Sequence, residues 1–264
     1  MKLPFSFFLG LFVSCTALSQ TSPEAKLIWS DEFEINGLPD PAKWDYDVGD
    51  HGWGNEELEY YSKADLRNAR IENGILIIEA HADSSWPKGY TSARLVTRGK
   101  AAWQYGYFEI KAKLPEGTGT WPAIWMLAEE NRHGGWPKNG EIDIMEHVGY
   151  DPGRVHGTVH TEGFNHTIGT QKGAQLMVPT FHDEFHTFAI DWTSEKIDFF
   201  IDGQKYFTFA NTGNGPKDWP FDQPFHLLMN IAVGGGWGGQ KGVDPSIWPQ
   251  RMEVDYVRVF DKKP

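Results

Sequence analysis

Apolar and polar residues alternate with a period of two along most of the chain after residue 26. Ile75–Ala82 sets Leu76, Ile78, Ala80 and Ala82 on one side and Glu79 and His81 on the other. Tyr107–Leu114 repeats the pattern, with Phe108, Ile110, Ala112 and Leu114 opposite Glu109, Lys111 and Lys113. Ile197–Ile201 runs into Asp202-Gly203, a pair that predicts a tight hairpin to Tyr206–Phe209. The same reading predicts strands over Leu27–Phe33, Asn68–Glu72, Ser92–Thr97, Trp121–Leu127, Glu141–His147, Arg154–Thr161, Thr187–Trp192, Phe225–Val233 and Met252–Phe260. No apolar stripe of helical period extends over three turns. Many short strands separated by Gly and Pro turns predict an all-β, antiparallel two-sheet sandwich forming one domain. A curved sandwich offers a concave groove to an extended polymer.

Composition sharpens that picture. Aromatic residues make up 14 % of the chain, with 12 Trp. A core needs fewer, because each buried indole N–H wants an acceptor. The tryptophans therefore divide between filling space between the sheets and forming flat platforms for sugar rings. The net charge of −12 argues against nucleic acid, whose phosphates call for a basic surface, and favours a neutral polymer over a sulfated or uronic one. At the N-terminus Lys2 precedes an apolar run too short for a comfortable membrane span, followed by small residues at Ala17 and Ser19. This predicts a secretory leader over 1–19, cleaved after Ser19, and a secreted or periplasmic mature domain over 20–264. Acylation at Cys15 is the second reading, and Phe12 three residues before it fits poorly. With the single cysteine in the leader, the mature protein has no disulfide and no thiolate metal site. No other stretch is long and apolar enough to span a membrane.

The segment with most chemistry is Gly140-Glu141-Ile142-Asp143-Ile144-Met145-Glu146-His147. On a regular strand Glu141 and Asp143 share a face, while Glu146, five residues on, would turn into the core, where an unpaired carboxylate is costly. One extra residue in a β-bulge near Met145 restores the parity and aligns all three acids. Crowded carboxylates retain a proton, which suits a pair with one ionised nucleophile and one protonated acid. A solvated acidic strand face would give the same alternation. A metal site of Glu141, Asp143, Glu146 and His147 is disfavoured, since His147 falls on the face opposite Glu146 and no HExxH is present.

This segment resembles the active-site strand of glycoside hydrolase family 16, in particular its laminarinase (endo-β-1,3-glucanase) members. Their pattern includes the residue occupied here by Met145, which the mixed-linkage lichenases lack. The resemblance extends to Trp29-Ser30-Asp31-Glu32-Phe33, to Trp53 through Tyr61, to Thr91 through Leu95, to Gly117 through Leu127, to Gly157 through Thr161 and to Asn230 through Gly239. It implies a concanavalin A-like jelly roll and retaining hydrolysis of internal β-1,3-glucosidic bonds, with Glu141 as nucleophile, Glu146 as acid/base and Asp143 supporting them. β-1,3-1,4-Glucan hydrolysis and non-catalytic β-glucan binding are the alternatives on the same fold. The resemblance further implies glucan contacts from Asn55, Arg94, Trp121, Trp125, Trp136, His160, Asn230 and Trp237. His160 could bond Glu146 or a sugar hydroxyl, or be a structural histidine. No cofactor is implied for catalysis, only a structural Ca²⁺ held by Asp255 and by the carbonyls of Glu34 and Gly74. The partner expected is β-1,3-glucan, met by a monomer.

Overall fold

The computed structural model of the protein describes Met1 and residues 24–264, so the expected leader and Cys15 lie outside the described residues. In chain order the strands are β1 (Leu27–Asp31), β2 (Asp45–Tyr46), β3 (Glu59–Tyr61), β4 (Ala69–Glu72), β5 (Ile75–Ala82), β6 (Tyr90–Ser92), β7 (Arg94–Val96), β8 (Gly106–Lys113) and β9 (Thr120–Ala128). They continue with β10 (Glu141–His147), β11 (Arg154–His160), β12 (Lys172–Met177), β13 (His186–Trp192), β14 (Lys196–Ile201), β15 (Gln204–Ala210), β16 (Phe225–Val233) and β17 (Gln250–Phe260). A 3₁₀ turn over His166–Ile168 is the one helical element among the described residues.

The strands form two sheets. One runs β15-β14-β13-β8-β17-β5-β6-β3, with β1 paired to β17 and β4 to β5; the other runs β12-β11-β10-β9-β16-β7-β2. Alternation dictates what lies between them. Phe108, Ile110 and Ala112 of β8 and Phe188 and Ile190 of β13 share one buried cluster with Ile124 and Met126 of β9, Ile142 of β10 and Met229 and Ile231 of β16. Fully burying each large side chain contributes roughly 1.5–3 kcal/mol, so this face-to-face core holds the sandwich together. The hairpin predicted at Asp202-Gly203 has positive φ at both residues, 50° and 74°, the handedness that matches strand twist.

Two departures from the expected strands have physical causes. The stretch read as one strand, Ser92–Thr97, is two: β6 lies in one sheet, parallel to β3, and β7 in the other, antiparallel to β16. The chain changes sheets at the fully buried Ala93, and a period-two pattern does not record that crossing. Strand β12 was not expected, because as an edge strand it buries little and reads KGAQLM, without an apolar face.

Candidate active site

Strand β10 carries the bulge. Against β9, Asp143 faces Trp125 and Met145 faces Ile124; against β11, Asp143 faces Thr158 and Glu146 faces His156. One residue of β10 is therefore extra between Asp143 and Glu146. Ile144 and Met145, 1 % and 0 % exposed, both enter the core, and parity resumes with Glu146 on the side of Glu141 and Asp143. All three acids line one groove on the outer face of the seven-stranded sheet. Gly140 starts the strand at φ +81°, where a Cβ would press on Pro220 and Phe221 at 2.7 and 2.9 Å, so the sharp entry into β10 requires glycine. His147 turns to the core, fully buried, and its Nε2 accepts the Gly153 N–H at 3.1 Å, which removes it from any metal reading. Glu141, Asp143 and His160 do bring ligand atoms within 4.8 Å of one another, so a cation at this cluster would use those three.

The indole of Trp136 donates to Glu141 Oε2 at 2.9 Å, and that of Trp121 donates to Glu146 Oε1 at 3.0 Å. His160 corrects one expectation. Its Nε2 lies 3.3 Å from Asp143 Oδ2 and 3.8 Å from Glu141 Oε1, because His160 pairs in register with Glu141, while the bulge sets Glu146 opposite His156. Burial and then the Asp143 charge push Glu141 up to about 8, and burial likewise pushes Asp143 up to about 8. Burial, and then Asp143, push Glu146 well above the ordinary carboxyl range. The His160 charge, the Trp136 N–H and the Arg94 charge favour the ionised form of Glu141, and the His160 charge and the Trp121 N–H favour that of Glu146.

The walls extend from this centre. The Arg94 guanidinium lies between the rings of Trp53 and Trp125, 4.6 Å from each centroid, and pairs with Asp47 at 3.2 Å. Trp125 donates to Asn230 Oδ1 at 2.8 Å, and Asn55 donates to Glu57 at 3.0 Å. This part of the groove has a volume of about 340 Å³. Beyond Glu146 it widens into a region of about 740 Å³ walled by Trp237, His156, Thr158, His160, Gln171 and Gln240. Trp237 meets Trp121 edge-on at 5.5 Å. Trp136, 41 % exposed, forms the lip beside His166, their rings 5.1 Å apart. The structure therefore brings Asn55, Arg94, Trp121, Trp125, Trp136, His160, Asn230 and Trp237 together around the three acids.

Sequence reasoning marked the Trp53–Tyr61 segment without singling out Trp53 or Glu57, and did not name His156 or His166 as site residues. His156 was findable, since it stands two and four residues before Thr158 and His160 on one strand face; Trp53 stands two residues before Asn55 in a loop without periodicity. Asp255 lies apart from the groove, at a bulge in β17 between Val254 and Tyr256, with Oδ2 held by Lys111 at 2.8 Å. Neither the Glu34 nor the Gly74 carbonyl accepts a hydrogen bond among the described residues. The Lys111 ammonium already neutralises the Asp255 carboxylate, so a hard cation would have to displace it to bind there.

The sequence profile of Glycosyl hydrolases family 16 matches residues 53–258. A β-glucanase of Rhodothermus marinus is 56 % identical, over 97 % of this chain and 93 % of its own length. The X-ray structure of the laminarinase from Rhodothermus marinus aligns with a TM-score of 0.89 at 59 % identity, covering 92 % of this chain and 99 % of that one. The crystal structure of SCLam, a non-specific endo-β-1,3(4)-glucanase, aligns with a TM-score of 0.85 at 47 % identity, covering 90 % and 92 %.

Proposed function

The chain belongs to glycosyl hydrolase family 16, and on that footing we propose that it is a secreted endo-β-1,3-glucanase that cleaves laminarin-type glucans with retention of configuration. The observation that carries this reading is the bulged strand, which turns Glu141, Asp143 and Glu146 into one aromatic-walled groove. Ionised Glu141 attacks the anomeric carbon while Glu146 gives its proton to the departing glycosidic oxygen, leaving a glycosyl-enzyme ester. Glu146, now a carboxylate, takes a proton from water, the hydroxide oxygen attacks the same carbon, and Glu141 leaves as carboxylate. Asp143, close to His160, adjusts the charge of both acids as the proton moves. The tryptophan faces and Arg94 hold successive glucose rings.

The names of the relatives support β-1,3-linked substrate, and the SCLam likeness favours additional cleavage of mixed-linkage glucan. The apolar leader over 1–19 supports export. Ca²⁺ held by Asp255 and the carbonyls of Glu34 and Gly74 would require Lys111 to leave Asp255, and it would take no part in bond cleavage. The test is reducing-sugar release from laminarin. The parent protein is expected to release sugar and Glu141→Gln to release almost none. Laminarin binding by the parent without release would instead make it a glucan-binding protein.

A further inference from the structure

Behind Asn55 and Trp125 lie two acids that no chemical step uses. Glu57 is 4 % and Glu59 0 % exposed. Glu57 accepts the Asn55 amide on Oε1 at 3.0 Å and the Tyr61 hydroxyl on Oε2 at 3.2 Å. The Tyr61 oxygen in turn accepts Asn230 Nδ2 at 2.9 Å, and Asn230 Oδ1 accepts the Trp125 indole at 2.8 Å. One carboxylate thus anchors two arms that reach the groove, one ending at Asn55 and the other at Trp125. Glu59 Oε2 accepts the Val233 N–H at 2.6 Å, and its fully buried Oε1 meets no donor among the described residues. The two acids stand two residues apart and are both buried, and a second carboxyl beside a buried carboxylate, with one oxygen that meets no donor, is favoured only when it keeps its proton.

We propose that Glu59 is a positioning residue: held as a neutral acid, it donates its proton to Glu57 and locks the arms that present Asn55 and Trp125 to the glucan chain. The inference rests on the glucanase reading for its substrate and on the buried pair for its chemistry. Burial, and then the Glu57 charge, hold Glu59 far above the ordinary carboxyl range. The other groups facing the pair do not supply the switch. Burial, and then Glu59 and Glu57, push the Tyr61 hydroxyl up, so it stays a donor. Arg94 from β7 is engaged with Asp47, which also holds Arg98, and Lys88 directs its ammonium at the carbonyls of Glu57 and Asp50, 3.0 and 2.7 Å away. The turn after β16 presents only backbone, and Gly235 packs so closely that a Cβ there would lie 3.3 Å from Glu57 Cγ. Loss of the shared proton leaves two adjacent carboxylates in a dry pocket, and their repulsion loosens both arms. Substrate binding weakens, while the acids of β10 keep their places.

The experiment is laminarin kinetics between about pH 6 and about pH 9 on the parent and on Glu59→Gln, whose amide donates to Glu57 and accepts from Val233 but cannot titrate. The parent KM is expected to rise about fivefold or more, while KM of Glu59→Gln stays within about twofold and kcat of both falls along one alkaline limb. A variant whose KM follows the parent, whether rising or flat, overturns the proposal. Melting temperature against pH separates this from failure of the glucanase reading. If the parent releases no sugar that reading falls, yet the parent Tm should still drop more steeply with rising pH than that of Glu59→Gln. Parallel Tm curves overturn the neutral acid by themselves.

Discussion

The two sheets use the same charged residues to opposite ends. On the outer face of the ten-stranded sheet most acids meet a cation, Glu79 with Arg70 at 2.9 Å, Glu253 with Lys113 at 3.0 Å and Asp198 with Lys196 at 2.6 Å. Asp191, raised by burial and then by Asp198, pairs with none among the described residues. Glu32 takes both nitrogens of the Arg258 fork at 2.9 and 2.8 Å. Arg258 holds Glu32 below the ordinary carboxyl range; burial lifts Glu79, but bonds from His81 and Arg70 outweigh it and bring it down. On the groove face three acids of one strand meet two indoles and a histidine from neighbouring elements, and all three rise. Such a cluster works against stability, which is the cost a fold carries for a reactive site. The signs follow from linkage. Acids with lowered values stabilise the fold above their unfolded value, and that contribution is lost as pH falls through the folded value. Acids with raised values weaken the fold as pH climbs from the unfolded value to the folded one.

The sharpest way to break this contrast is Glu141→Gln. Turnover of laminarin should fall by about a thousandfold or more, whereas Tm at neutral pH should hold and at higher pH should rise above the parent's, because the amide cannot ionise in the buried cluster. A fall in Tm alongside full activity would reverse the assignment of the two faces. Glu146→Gln should cost about 10²–10⁴-fold in kcat, with the loss smaller for substrates whose leaving group needs no proton; an aryl glucoside with an activated phenol makes that comparison. Asp143→Asn should cost about tenfold and carry the alkaline limb of the kcat profile to lower pH, since Asp143 raises both neighbours. A limb that moves upward would contradict its place in the cluster. The smallest effect belongs to the other face. Arg70→Ala should lower stability by about 1 kcal/mol in a denaturant melt and leave kcat unchanged, with the deficit shrinking as pH drops and Glu79 is protonated.

The long strands that build the core were the most legible. Strands β5, β10 and β16 begin and end where the pattern placed them, and the parity of Glu146 alone predicted the bulge, because a carboxylate cannot be left unpaired in a core. Strands of two or three residues, β2 and β3, carry too few side chains to show a period. The tryptophans divided nearly evenly, as the composition left open. Trp53, Trp121, Trp125, Trp136 and Trp237 line the groove, while Trp44, Trp192 and Trp219 are buried and Trp29, Trp103 and Trp248 pack on the core. Trp86 belongs to neither group, stacking on Tyr60. What stayed hidden was the support beneath the site. Glu57, Glu59 and Tyr61 fall in the Trp53–Tyr61 segment that the resemblance covers, and only the turn after β16, folding over them from more than 170 residues away, makes them a dry network. The Arg94 sandwich was hidden for the same reason, since its two rings come from a loop and from β9.

The most direct test of the paired acids on β10 is the configuration of the first sugar released. Proton NMR during the opening minutes of hydrolysis of a linear β-1,3-glucan should show the β-anomer at the new reducing end, with the α-anomer growing in only by mutarotation. An initial α-anomer would mean that water, and not Glu141, attacks first, and would contradict the double displacement.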